Sequence, residues 1–182
     1  MPNSLQIHPC SIKFARQFIA KHHSYLPRVV GGIFALAALQ SQELVAVALV
    51  GRPRNVHLSR LCIAELYRLA VQPNAMHAAS FLLARTAKAA FALGYDAIIS
   101  YVPSKLDATS YRAAGWNPEK RHRAKGWHGR ELPPDYPKEV IRWQLNRKTT
   151  PRNSPIAALQ SQESSDCGLA IAGQLELDFT LA

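Results

Sequence analysis

Glu65-Leu66-Tyr67-Arg68-Leu69-Ala70-Val71 and Ala97-Ile98-Ile99-Ser100-Tyr101-Val102 are two apolar runs joined by an Ala- and Leu-rich segment from about Ala78 to Leu93. The runs read as strands and the segment between them as a helix that stops at Gly94, a good terminator. Two strands joined through a helix can lie side by side in parallel. The helix opens around Asn74 to Ser80, where unpaired N–H groups and the positive end of the dipole suit an anionic cofactor. Ser110-Tyr111-Arg112-Ala113-Ala114-Gly115-Trp116 follows the second strand, with Gly115-Trp116 reading as a helix end and core packing.

Upstream, Leu5 to His8 reads as a first strand. Ser11 can cap a helix to about His22, with Ile12, Ala15, Phe18 and Ile19 on one face. A polar and aromatic loop, His22 to Arg28, ends at Gly31-Gly32. Ile33 to Leu39 and Leu44 to Val50 form an antiparallel hairpin, and Gly51-Arg52-Pro53-Arg54 breaks its second strand. Downstream of Trp116 the pattern reads as a basic loop containing Pro133, Pro134 and Pro137, then a last strand from Val140 to Leu145. The fold class is α/β: a mixed central sheet with a parallel strand pair and flanking helices.

The 182 residues suit one domain, 1–146, plus a flexible acidic tail, 147–182. A hydrophobic fraction of 48% supports a globular core, and the apolar runs are too short for a membrane span. No basic-then-apolar leader precedes Leu5, so a cytoplasmic location is expected. Cys10, Cys62 and Cys167 are far apart and read as reduced thiols, Cys62 as inert core packing. Ala37 to Glu43 recurs as Ala157 to Glu163, a seven-residue echo with no structural period around it.

Charge is unevenly placed. Residues 153–182 carry four acids and no Lys or Arg, which leaves 22 basic and 8 acidic residues before them, a net +14. Ten Lys/Arg against four acids lie between Glu119 and Arg152, with Trp127 and His128 among them. Lys120, Arg121, Arg123, Lys125 and Arg130 therefore form either a solvated basic face or a surface for a polyanion such as DNA. Arg52 and Arg54, beside the strand break, suit a phosphate.

The element order, Val71-Gln72-Pro73 before the long helix and Tyr111-x-x-x-Gly115-Trp116 after the next strand resemble the GNAT superfamily of acyl-CoA transferases. His22-His23-Ser24-Tyr25, Gly51-Arg52-Pro53, Glu65-Leu-x-Arg68-Leu, Asn74, Ser80-Phe81-Leu82 and Ser100-Tyr101 extend the resemblance to Mom-type phage proteins, GNAT-like enzymes that modify adenine in DNA. It covers about residues 5 to 145 and implies a GNAT fold, a mixed central sheet with a splayed parallel strand pair and flanking helices.

The resemblance implies acetyl-CoA or another acyl-CoA as donor, held by Leu69, Ala70, Val71, Asn74, His77, Ala78, Ala79 and Ser80. It implies Tyr111 as the acid toward the departing thiolate, a role that suits a neutral phenol. Ser100, in a strand that would be central, needs a partner for a buried hydroxyl, and that partner can be a ligand. Glu65 or His22 would be the base. Packing, an ion pair for Glu65 and Arg68, and a helix-face bond for Ser80 are the plain structural alternatives. No glycine stands between Asn74 and Ser80, so the imidazole of His77 threatens to fill the space meant for the cofactor.

In the tail, Gln174-Leu-Glu-Leu177-Asp-Phe179 resembles peptides that dock on the bacterial sliding clamp, with Gln174 for amide contacts and Leu177 and Phe179 for an apolar pocket. The leading function is transfer of an acyl-derived group to an exocyclic amine of DNA adenine. The alternatives are acetylation of a small amine or protein, and a non-enzymatic DNA-binding or clamp-associated module. No metal-ligand spacing stands out.

Overall fold

The computed structural model describes residues 4–23, 25–124 and 132–148. Strand β1 (Leu5–Cys10) leads into α1 (Ile12–His22), whose first turn is closed by Ser11 accepting from the Phe14 N–H at 3.2 Å. Next come β2 (Phe34–Gln40), β3 (Glu43–Gly51), a single turn α2 (Val56–Ser59) and β4 (Ile63–Val71). Then follow α3 (Ala78–Ala92), β5 (Ala97–Pro103), α4 (Thr109–Ala113), β6 (Asn117–Arg123) and β7 (Glu139–Asn146).

The seven strands form one sheet in the order β1-β2-β3-β4-β5-β7-β6. Every neighbouring pair is antiparallel except β4 and β5, which are parallel. α1 covers one face and α3 the other, so β3 is buried on both sides and reads as an unbroken apolar run. Its Val47 and Leu49 meet Ala15, Phe18 and Ile19 of α1, while Ala46, Ala48 and Val50 meet the α3 side. On α3 the buried positions are Ala78, Leu82, Leu83, Thr86, Ala87 and Ala90, one stripe at helical spacing. The helix ends as a Schellman motif: Gly94, at φ 103°, donates to Phe91 O and Tyr95 donates to Ala90 O, both at 3.1 Å.

A bulge in β4 shapes everything around it. Leu49 pairs with Arg68 and Val50 with Leu66, leaving Tyr67 without a partner on β3. This accounts for the three-residue step in Glu65-Leu66-Tyr67-Arg68-Leu69, which a regular strand does not allow. Leu66 and Leu69 both pack with the α3 cluster although they are three apart. The Tyr67 ring lies over Gly51, where a Cβ would come within 2.4 Å of ring carbons, and its hydroxyl donates to Arg52 O at 2.6 Å.

Two readings need correction, and one local feature was missed. The stretch after Trp116 is not a loop: residues 117–123 form edge strand β6, paired with β7 through a bulge between Pro118 and Lys120. Five of its seven residues are charged or His, and among the described residues only β7 borders it, so burial left no apolar alternation to read. Cys62 is exposed rather than packed in the core, its thiol donating to Gly94 O at 3.4 Å. The turn α2, capped by Asn55 through the His57 N–H, is also a local feature that the strand break concealed. Among the described residues no helix is long and apolar enough to cross a membrane.

Candidate active site

The parallel pairing of β4 and β5 begins at Ile63–Ala97 and ends at Leu66–Ser100. Beyond that point β4 runs on through Tyr67–Val71, held by β3, and β5 through Tyr101–Pro103, held by β7. Each strand follows its other neighbour, so the two part and their facing backbone edges are left unpaired with each other.

Tyr111 marks the point of parting. Its hydroxyl lies 2.9 Å from Ser100 Oγ, and Ser100, only 4% exposed, donates weakly to Leu66 O at 3.4 Å. The phenol ring sits edge-on to Trp116, centroids 5.4 Å apart, and tilted against Trp143 at 5.7 Å. Gly115, at φ 81°, turns the chain so that Trp116 enters the core at 2% exposure. Burial pushes the Tyr111 hydroxyl up to about 12, so it is a held proton at any ordinary pH.

Glu65 stands one residue before the last parallel pair and therefore on the opposite face of the sheet from Ser100, the α1 face. It is 6% exposed, and its Oε2 accepts from the Arg54 N–H at 2.8 Å. Burial raises its pKa against the smaller downward pull of that bond and of Arg54 and Arg68. The Arg54 guanidinium stacks over the Tyr67 ring at 4.4 Å. Tyr101, raised by burial and by Glu65, faces the same way and meets His122 of β6 edge-on at 5.7 Å.

Over this face the loop after α1 meets the loop before β7, where Tyr25 and Tyr136 pack edge to face at 5.8 Å. His23 organises the first loop. Its Nδ1 accepts from the Leu26 N–H at 3.2 Å and the Tyr25 N–H at 3.4 Å. Burial and the Arg68 charge lower its pKa to about 4. His22 instead stacks on Phe18, centroids 4.4 Å apart.

At the head of α3, Asn74 and His77 take φ 68° and 61°, the left-handed backbone that glycine usually supplies. His77 is exposed, so its ring is not packed between the parted strands. The Ala79 and Ser80 amides are bonded to no acceptor among the described residues, whereas Ala78 N reaches Ala75 O at 3.3 Å and Phe81 N reaches His77 O at 2.9 Å. The Ser80 hydroxyl donates to His77 O at 3.1 Å, the plain helix-face bond. Leu69 and Val71 turn their side chains into the α3 cluster and Ala70 into the α1 cluster, so only their backbone could hold a ligand. Unpaired amides at this helix start, with the exposed His77 ring clear of the parted strands, fit the diphosphate of an acyl-CoA.

Lys120, Arg121 and Arg123 are exposed along β6. Arg121 makes a long ion pair with Glu139 at 3.7 Å, and Glu119 is held by Arg142 through contacts of 2.7 and 2.8 Å. A groove of about 390 Å³ beside β6 is lined by Arg112, Pro118, Glu119, Lys120, Arg121, Ile141 and Trp143. Arg52 is exposed. Lys125, Arg130 and the tail residues Gln174, Leu177 and Phe179 lie outside the described residues. Sequence reasoning paired His23 with His22 as a candidate base, but did not reach Tyr25, Tyr101 or Tyr136 as site residues. Tyr25 and Tyr136 are 111 positions apart, and nothing local connects them.

The fold is shared with solved acetyltransferases. An acetyltransferase from Bacillus subtilis in complex with CoA is 13% identical, TM-score 0.57, with 79% of this chain and 99% of that one covered. The ribosomal-protein-S18-alanine N-acetyltransferase from Escherichia coli is 14% identical, TM-score 0.61, covering 83% and 99%. A GNAT-family acetyltransferase from Streptococcus pneumoniae is 12% identical, TM-score 0.56, covering 79% and 99%. The chain thus has the GNAT acetyltransferase fold. No protein-family model matches it, and no curated protein matches it in sequence.

Proposed function

We propose that this protein is an acyl-CoA-dependent N-acyltransferase. The observation that carries the reading is the Tyr111–Ser100–Leu66 chain of polar contacts at the point where β4 and β5 part. A bound acyl-CoA supplies an activated acyl carbonyl and a thiolate leaving group. On the α3 face, the amides of Ala79 and Ser80 would hold its diphosphate and the open backbone edge of β4 its pantetheine arm. Tyr111 Oη holds the proton that a departing thiolate takes up, and Ser100 keeps the phenol aimed. On the α1 face, Glu65 accepts the proton lost by the attacking amine. Donor and acceptor thus approach through opposite faces of one sheet.

We further infer that the acceptor is an exocyclic amine of DNA, adenine in the first instance, in the manner of the Mom-type proteins. What supports this is the exposed basic edge strand, with Lys120 on the face of Tyr101 and Arg121 and Arg123 on the other, beside a groove containing Trp143. Contacts of this kind hold phosphates without reading sequence. Titration of the full chain with acetyl-CoA by calorimetry tests the donor reading, and a silent titration overturns it. Expression in a bacterial host followed by nucleoside mass spectrometry of its DNA tests the acceptor reading: a new modified adenosine is expected. An unmodified nucleoside profile, with binding to random duplex undetectable at low salt, overturns it.

A further inference from the structure

Arg68 is a half-buried guanidinium that no carboxylate pairs with among the described residues. Its Nε donates to Leu26 O at 3.1 Å and its Nη1 to Tyr67 O at 2.5 Å. Both partners are neutral carbonyls. The carboxylate that acts on it, Glu65, is engaged with the Arg54 N–H, and Arg54 itself opposes Arg68 electrostatically. Burying a cation with carbonyl bonds alone leaves part of its hydration uncompensated. Burial and the Arg54 charge accordingly lower its pKa to about 10.

Its position is as telling as its missing partner. Arg68 belongs to the part of β4 beyond the last parallel pair, and the bulge at Tyr67 turns it toward the α1 face together with Glu65. There it lies under the loop that His23 organises, and close enough to Tyr136 for its charge to pull down the pKa of that phenol, which burial raises. Tyr25 and Tyr136 close over the same region. A guanidinium whose fork is not filled by a carboxylate, beside a buried acid and two phenols packed edge to face, suits a planar or tetrahedral oxyanion.

We propose that Arg68 binds an oxyanion carried by the acceptor, a phosphate or a carboxylate, and so places the acceptor amine against Glu65. The proposal deepens the acyltransferase reading and rests on the α1 face being the acceptor side. Arg68 is the binding and specificity-determining residue of this step, and it takes no part in proton transfer.

Calorimetric titration of the full chain, first with acetyl-CoA and then in its presence with two matched pairs of probes, tests it. The pairs are deoxyadenosine 5′-monophosphate against deoxyadenosine, and glycine against glycinamide. The acetyl-CoA step reports on the donor site alone, and if it is silent the probe titrations are made on the free protein, so the two readings fail separately. The member of one pair that carries the oxyanion is expected to bind at least about tenfold tighter than the member lacking it; the pair that shows it identifies phosphate or carboxylate as the source. Arg68→Met should abolish the preference while leaving acetyl-CoA affinity in place, and Arg68→Lys should retain part of it. The Lys120→Ala/Arg121→Ala/Arg123→Ala variant should keep it. Absence of a preference in both pairs, or a preference that survives Arg68→Met, or one lost only with the β6 cations, overturns the proposal.

Discussion

The Tyr111 hydroxyl stands 2.9 Å from Ser100 Oγ, and Ser100 is the β5 residue that faces Leu66 in the last pair before the strands part. A proton donor is thereby anchored to the seam of the sheet rather than to a loop. Ser100 spends its own proton on Leu66 O, so its lone pairs are free to accept from the phenol. Because burial holds Tyr111 protonated up to about 12, its ionisation does not shape activity near neutral pH.

Tyr111→Phe removes the proton and keeps the ring against Trp116 and Trp143. Turnover is expected to fall about 100-fold or more, with acetyl-CoA affinity nearly unchanged. Ser100→Ala, which only frees the phenol to wander, should cost less, about tenfold. Steady-state kinetics paired with calorimetry separates the two effects. Equal turnover of the phenylalanine variant would remove Tyr111 from the chemistry.

Glu65 acts as a base only when ionised, and burial raises its pKa from 4.5. The rate of the native protein should therefore rise with pH through a value above 4.5. Glu65→Gln should lower turnover and flatten that acidic limb. A raised carboxyl disfavours the ionised folded state, so this group's contribution to stability declines as pH rises through the folded value. The glutamine, which still accepts from Arg54 N, should leave the melting temperature at pH 7 equal or higher. A lower melting temperature together with unchanged kinetics would make Glu65 purely structural.

His23 carries the opposite sign. Its pKa is about 4 in the fold against 6.5 ordinarily, so the unfolded chain takes up a proton first. Stability is lost as pH falls from 6.5 toward 4, at about 1.4 kcal/mol per pH unit where only the unfolded chain is protonated. His23→Asn places a non-titrating acceptor near the Nδ1 position and should remove this slope. Urea denaturation at pH 7, 6 and 5 reads it directly. An identical pH slope in the variant would assign the acid sensitivity elsewhere.

Gly51 has no room for a methyl group, because a Cβ would lie 2.4 Å from the Tyr67 ring. Gly51→Ala should destabilise by about 1–3 kcal/mol through overpacking. In a Tyr67→Leu background most of that cost should vanish, giving a large coupling in a double-mutant cycle. Additive effects would mean that the bulge residue does not set the geometry of the break after β3.

The three-residue step from Leu66 to Leu69 shows how far the chain can be read unaided. It is visible in the sequence and it is the bulge, yet only the pairing Leu49–Arg68 and Val50–Leu66 gives it a meaning. The basic residues 120–123 were legible as charge and illegible as strand, since an exposed edge needs no apolar alternation to be held by β7. Arg68 was visible as a charged residue near Glu65. That they make no ion pair among the described residues is a matter of distance, which no pattern encodes.

By itself, the sequence determined the elements that hydrophobic periodicity and local chain chemistry control. These are the two-faced burial of β3, the α3 stripe ended by Gly94, and the parallel strands on either side of it. The tertiary structure alone decided where those strands part, that Tyr111 meets Ser100 at that point, and that Tyr25 and Tyr136 close over Arg68. The physical reason is the range of the forces. Burial patterns and caps act within a few residues, whereas the seam arises because β3 and β7 pull two neighbouring strands along different paths.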